Sequence, residues 1–299
     1  MFRKTFAGFA LALSLLAPAF GGASKFDAGA LAVEQVSDKG PAVILIPGLA
    51  SGSWVWRDTA ERLSGTHSVY LLTLPGFDGR PRDAEANLET VQRDLLVLIE
   101  SRGIAKPVLI GHSLGGTLSL AFAADHSDKI AGVVAVDGLP VFPGTERMTG
   151  DRAPLAANLR AQMSGTREQF VAGQQAYMRQ IGSISETTAD KLAELTSRSD
   201  AQATVDFAAQ VMALDLRPRL GDIKVPVVEV SPFHAPDLAA MGIDEAGKAN
   251  YYRMLLSGVE KLDVVSISPA RHFVMFDQPE KFAAALDGAL ASMFATANR

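Results

Sequence analysis

The pentapeptide Gly111-His112-Ser113-Leu114-Gly115 limits the fold of this chain more than any other segment. It stands between a short apolar run, residues 107–110, and a stretch of small residues, 114–125, that suits a tightly packed helix. A strand that turns directly into a helix leaves little room at the bend. Glycines on both sides of Ser113 therefore read as positions where backbone meets backbone. A strand–turn–helix unit of this kind belongs to a sheet covered by helices.

The rest of the chain keeps that rhythm. Apolar runs at 42–46, 68–74, 107–110 and 131–136 read as strands, the first two closed by Pro-Gly and the fourth by Asp137-Gly138. Between them, 54–63 and 88–101 read as helices. The second has Leu88, Val91, Leu95, Leu96, Leu98 and Ile99 at helical spacing and stops before Gly103. From 142 to 220 the strand signal disappears, and helical patterns cover 152–163, 166–181, 186–196 and 201–214. Strands resume at 225–230 and 262–267, and 279–294 closes the chain as an amphipathic helix. The expected architecture is a mostly parallel α/β sheet flanked by helices, with a helical cap inserted between two strands. The core is expected over residues 24–141 and 221–299, and the cap over 142–220.

The first residues follow a different logic. Arg3 and Lys4 precede a mostly apolar stretch, 6–16, and then small residues including Ala17-Pro18-Ala19 and Gly21-Gly22-Ala23. That order reads as a secretory signal peptide over 1–23, with export to a periplasmic or extracellular space. The apolar stretch is well short of the roughly 20 residues that a spanning helix needs. No stable membrane span is expected after cleavage. The net charge of −5 and the lack of a basic patch argue against nucleic acid as a partner. The absence of cysteine removes disulfides, thiolate metal sites and a cysteine nucleophile.

Ser113 at the bend is the candidate nucleophile. A serine hydroxyl needs a base at neutral pH. Of the five histidines, His67 starts a strand, His126 ends a helix, and His112 is expected to point away from its neighbour. His234 lies in a loop after a strand. His272 follows the strand at 262–267, comes after the serine in chain order, and is the candidate base. Acyl transfer also needs main-chain N–H groups aimed at a developing oxyanion. Leu114, at the start of its helix, and Leu49, after Pro47-Gly48, are the candidates.

Taken together these segments resemble the α/β-hydrolase family. Residues 46–54 (IPGLASGSW) are similar to its oxyanion loop, and 74–80 (LPGFDGR) to its D-x-P-G-x-G-x-S loop. Gly111–Gly115 is similar to its nucleophile elbow. Asp215-Leu216-Arg217-Pro218 with Val225-Pro226-Val227 resembles its re-entry to the sheet. His272-Phe273 with residues 277–282 resembles its base segment. Pro47 stands where the family usually has histidine, which a main-chain donor tolerates. The resemblance implies an acid after the strand that follows the cap, in the pattern G-x-x-D. Here the glycine is absent and Asp237 falls about two positions late. Asp137, ending the strand before the cap, is the favoured acid because it needs no loop adjustment. Asp237 stays open as the alternative.

The expected activity is that of an esterase- or lipase-like serine hydrolase acting through an acyl-enzyme on a small-molecule ester or related acyl substrate. It needs no metal or organic cofactor. An aspartate nucleophile, as in epoxide hydrolases or dehalogenases of this family, is argued against by Ser113. The rival reading is a non-catalytic small-molecule-binding protein on the same scaffold. The cap residues Met148, Met163, Phe170, Tyr177, Met178, Phe207 and Met212 are candidates to line the pocket.

Overall fold

The computed structural model describes residues 24–297. The segment read as a signal peptide, 1–23, lies outside the described residues.

The chain opens with a hairpin of β1 (Ser24–Ala28) and β2 (Leu31–Asp38). There follow β3 (Ala42–Ile46), α1 (Arg57–Leu63), β4 (Ser68–Thr73), α2 (Leu88–Ser101), β5 (Val108–His112), α3 (Leu114–His126) and β6 (Gly132–Val136). Four helices come next: α4 (Ala153–Met163), α5 (Arg167–Tyr177), α6 (Glu186–Thr196) and α7 (Ala201–Ala213). The sheet resumes with β7 (Val227–Pro232), followed by α8 (Ala235–Leu238), α9 (Glu245–Leu255), β8 (Leu262–Ile267), α10 (Val274–Asp277) and α11 (Pro279–Ala297). The eight strands form one sheet in the order β1-β2-β4-β3-β5-β6-β7-β8. β2 pairs antiparallel with β1 and β4, and all pairs from β4 to β8 are parallel.

Every residue of β3, β5 and β6 is buried, as a parallel sheet covered on both faces requires. Alternation along the strands divides their side chains between two cores. Ile44, Ile46, Leu109 and Val133 pack with Val91 and Leu95 of α2 and with Leu118 and Phe122 of α3. Val43, Leu45, Val108, Ile110 and Val134 pack with Ala60 and Leu63 of α1 and with Phe282, Leu286 and Leu290 of α11. α2 starts where the sequence stops it from starting earlier: the Asn87 side chain accepts the N–H groups of Glu89 and Thr90.

Between β6 and β7 the chain is helical, with α4 packed on α7 and α5 on α6. The helix expected over 166–181 is interrupted. After Tyr177 the chain widens into a single π turn, Met178–Gly182, before it extends through Ser183. Several further elements were not expected from the sequence, the short helices α8 and α10 among them. The β1–β2 hairpin has only weak alternation on a half-exposed edge. α9 carries its buried residues (Ala249, Tyr252, Leu255) on one narrow stripe of an otherwise polar segment.

The glycines at the bend have the role that their spacing implies. A Cβ on Gly111 would stand 2.1 Å from the Gly115 carbonyl oxygen, and one on Gly115 would stand 2.3 Å from that of Ile46. Both obstacles are main chain and cannot turn away. Gly115→Ala is accordingly expected to cost about 1–3 kcal/mol and to lower Tm by several degrees, measured by calorimetry. An unchanged Tm would show that β3 and α3 can separate freely.

Candidate active site

The register of the sheet brings the chemistry together. β5 and β6 end level, with His112 opposite Val136, and Val136 in turn opposite Val230 of β7. The next residues, Ser113 and Asp137, both leave the sheet with positive φ, +53° and +51°. Ser113 has ψ −117°, outside the left-handed helical well. Such a conformation costs of order 1–3 kcal/mol and persists only where surrounding contacts fix it. Those contacts are visible. The Ser113 N–H donates to the Val136 carbonyl at 2.8 Å, and the Asp137 N–H to that of Val230 at 3.0 Å. Each bend hangs on the strand beside it.

His272 meets Asp137. Its Nδ1 lies 2.6 Å from Asp137 Oδ2, with both side chains largely buried. The other carboxylate oxygen, Oδ1, accepts the Tyr252 hydroxyl of α9. Burial pushes the Asp137 carboxyl up, but the bond to His272, the positive charges of His272 and Lys248, and the Tyr252 hydroxyl outweigh it. They hold Asp137 well below the usual carboxylate range. With Asp137 ionised, the proton on His272 belongs on Nδ1, which leaves Nε2 as the basic nitrogen.

Ser113, Asp137 and His272 line one cavity of about 780 Å³, as do Leu49 and Leu114. The Ser113 hydroxyl makes no hydrogen bond to another protein group among the described residues. Leu114 is the first residue of α3, so its N–H has no acceptor within the helix. The Leu49 N–H also has no protein acceptor among the described residues. Both residues therefore bring an N–H without a protein acceptor to the lining that Ser113 shares.

Asp237, the alternative acid, does not reach His272. Its carboxylate receives Nε and Nη2 of Arg271, both at 2.7 Å, and lies 3.1 Å from His234 Nδ1. The two late positions seen in the sequence carry it into α8, toward the guanidinium beside His272 and away from the imidazole. His112 also departs from expectation. It does not point away but lies in the cavity wall, its ring centroid 4.5 Å from that of His272. Its Nε2–H donates to the His272 carbonyl at 3.0 Å. Burial, then the charge of His272, push its pKa down to about 3.

Two more groups behind the site escaped the sequence reading. Glu229 sits in β7 opposite Ala135 and is fully buried. One of its oxygens accepts the Gly138 N–H at 3.2 Å and the other has no partner. Burial, then the charge of Asp137, push its pKa well above the ordinary value and disfavour the charged form. A charged residue in an apolar strand was the available signal. Tyr252 gave no such signal, because α9 meets Asp137 only in the folded chain.

The base loop is tied to the cap. His272 and Phe273 donate their N–H groups to the carbonyls of Ile181 (3.1 Å) and Gly182 (2.9 Å). Arg271 Nη1 reaches the carbonyls of Arg179 and Ser183. Asp277 accepts the Ser183 hydroxyl, the Ile184 N–H and the Arg271 N–H. Of the cap residues expected at the pocket, Met163, Phe170, Tyr177 and Met178 line it. Met148 is exposed, Phe207 packs on Phe77 in the core below, and Met212 is also away from the lining. Among the described residues no group of three His, Asp or Glu side chains could hold a metal ion, and no helix is long and apolar enough to cross a membrane.

Sequence and structure comparisons bear on the family and the fold. The model of the alpha/beta hydrolase family matches residues 43–285. A pimeloyl acyl-carrier-protein methyl ester esterase of Vibrio cholerae is 26% identical over 66% of this chain and 76% of its own length. Among solved structures, an enol-lactonase from Burkholderia xenovorans superposes with a TM-score of 0.71 at 21% identity, covering 90% of this chain and all of its own. A thermophilic esterase from Thermogutta terrifontis reaches 0.72 at 19% identity, covering 91% of this chain and 99% of its own. The chain belongs to the alpha/beta hydrolase family, and its class of enzyme is hydrolase.

The buried neutral state of His112 has a thermodynamic consequence. Its folded pKa lies below the unfolded value near 6.5, so the unfolded chain binds the extra proton. The stability this residue contributes is complete above pH ~6.5 and declines as pH falls toward 3. Relative to wild type, His112→Asn is expected to flatten the pH dependence of unfolding between pH 6 and 4 by ~1.4 kcal/mol per pH unit, read from urea titrations. Parallel curves for the two proteins would show that His112 does not titrate alone there.

Proposed function

We propose that this hydrolase is an esterase that works through an acyl-enzyme on Ser113. The observation that carries the reading is the 2.6 Å contact between His272 Nδ1 and Asp137 on the wall of the cavity that Ser113 also lines. A carboxylate at that distance fixes the tautomer of the imidazole and stabilises it once it is protonated.

The chemistry then runs in two halves. Ser113 Oγ attacks the ester carbonyl carbon and His272 Nε2 takes its proton. The carbonyl oxygen becomes an oxyanion held by the Leu49 and Leu114 N–H groups, with the positive end of α3 beside it. As the oxyanion collapses, the bond to the alcohol breaks and His272 gives its proton to the leaving oxygen. Water, deprotonated by the same nitrogen, attacks the acyl-enzyme and returns Ser113 and the free acid. The positive-φ turn at Ser113 supports this role, because strain of this kind is retained where it presents a reacting group. Tyr252 and Arg271 act through their neighbours: one fixes Asp137, the other the loop of His272. We also propose that residues 1–23 direct export, which makes the substrate one met outside the cytoplasm.

Hydrolysis of p-nitrophenyl esters tests the assignment. Ser113→Ala should abolish turnover and labelling by an organophosphonate. Asp137→Asn should lower kcat/KM by about 10³–10⁴, while Asp237→Asn should change it less than about tenfold, through the Arg271 contact alone. The reverse order of the two aspartate variants would move the acid to Asp237. A wild-type protein that neither labels nor turns over would favour a non-catalytic binding role.

A further inference from the structure

The same cavity carries information about what enters it, and this step rests on the esterase reading above. Its volume of about 780 Å³ is in the range of small-molecule sites and far beyond what an acetyl group fills. Among the described residues no lysine or arginine lines it. The one carboxylate among those lining residues is Asp137, already bound to His272 and Tyr252.

The cations nearby are engaged elsewhere: Lys248, whose charge reaches Asp137, bonds to the Pro232 carbonyl and stands outside the lining. Arg152 bonds to Thr145 and to the Met212 carbonyl. Arg167 bonds to the carbonyls of Ser197 and Ser199, and Arg179 pairs with Asp190. Two threonine hydroxyls of the lining are likewise committed. Thr117 donates to the Leu139 carbonyl and Thr204 to that of Asp200. Apart from the site's own groups, the deep surface is apolar, formed by Leu114, Leu139, Val141 and Ala208. The cap adds Met163 and Phe170, whereas Gln162 and Gln174 supply neutral amides nearer to solvent.

We propose that the cavity receives the uncharged aliphatic acyl chain of a monocarboxylic ester. A second carboxylate on that chain would be buried without a cation and next to the negative charge of Asp137. That arrangement costs more than the cavity can return. Each methylene placed against the apolar floor is instead favourable.

The test compares p-nitrophenyl acetate, butyrate, hexanoate and octanoate with the mono-p-nitrophenyl ester of adipic acid. The last matches hexanoate in length but ends in a carboxylate. kcat/KM is expected to rise from acetate to hexanoate by up to about fourfold per methylene. The adipate half-ester should fall at least about 100-fold below hexanoate. Gln174→Arg should recover at least about tenfold on the half-ester. A flat chain-length series, or a half-ester within about threefold of hexanoate, overturns the proposal.

The same pair measured as equilibrium binding to Ser113→Ala does not depend on turnover. Preference for hexanoate there supports the proposal even where the wild type hydrolyses neither ester, a result that would remove only the esterase reading. Equal binding of the two overturns the proposal.

Discussion

The site rests on a contact between main chains. Gly115 lies against the carbonyls of Ile46 and Pro47, and Gly111 against Gly115 itself. No side chain could be inserted at either place. That contact fixes the distance from β3 to α3, and with it the separation of Leu49 from Leu114. It also gives the Ser113 turn the support that its unfavourable dihedral angles need. An oxyanion site requires donors that do not reorganise when charge appears. Two backbones in van der Waals contact provide that stiffness without any polar side chain.

Much of this was legible in sequence because it is local. The G-x-S-x-G spacing states the strand–turn–helix bend, and all-apolar runs such as residues 42–46 state burial on both faces. The order of serine, aspartate and histidine also survives in one dimension. What was not legible depends on partners distant in the chain. Asp137 and Asp237 both follow strands; loop spacing favours the first, and only the folded chain shows which of them meets His272. Asp137 inherits a position level with Ser113, whereas Asp237 is carried into α8 and meets Arg271. Tyr252 and Glu229 are further examples. One is a tyrosine on a mostly polar helix and the other a single acid in a strand, and neither has a meaning until the sheet is assembled.

The electrostatics behind His272 show a division of labour among groups of similar chemistry. Two carboxyls lie close together, yet folding pushes the pKa of Asp137 down and that of Glu229 up, because one has a cationic partner and the other has only a backbone amide. Two imidazoles stand 4.5 Å apart, yet His112 is held neutral by burial. A second imidazolium there would repel the one that the proposed mechanism forms on His272. The environment assigns each member of the pair its charge, which lets one small volume hold four ionisable groups without conflict.

The bonds from Ile181, Gly182 and Ser183 to residues 271–273 have a consequence for how such proteins diverge. Helical insertions between two strands are commonly regarded as exchangeable parts. In this chain the insertion supplies the carbonyls that hold the loop of His272, the proposed base. A transplanted cap of the right size but with different backbone geometry at that corner would leave the amides of His272 and Phe273 without acceptors. The imidazole would lose its aim although every reacting residue was retained. Specificity and reactivity are thus joined through one short stretch of polypeptide, and evolution in this lineage must alter them together.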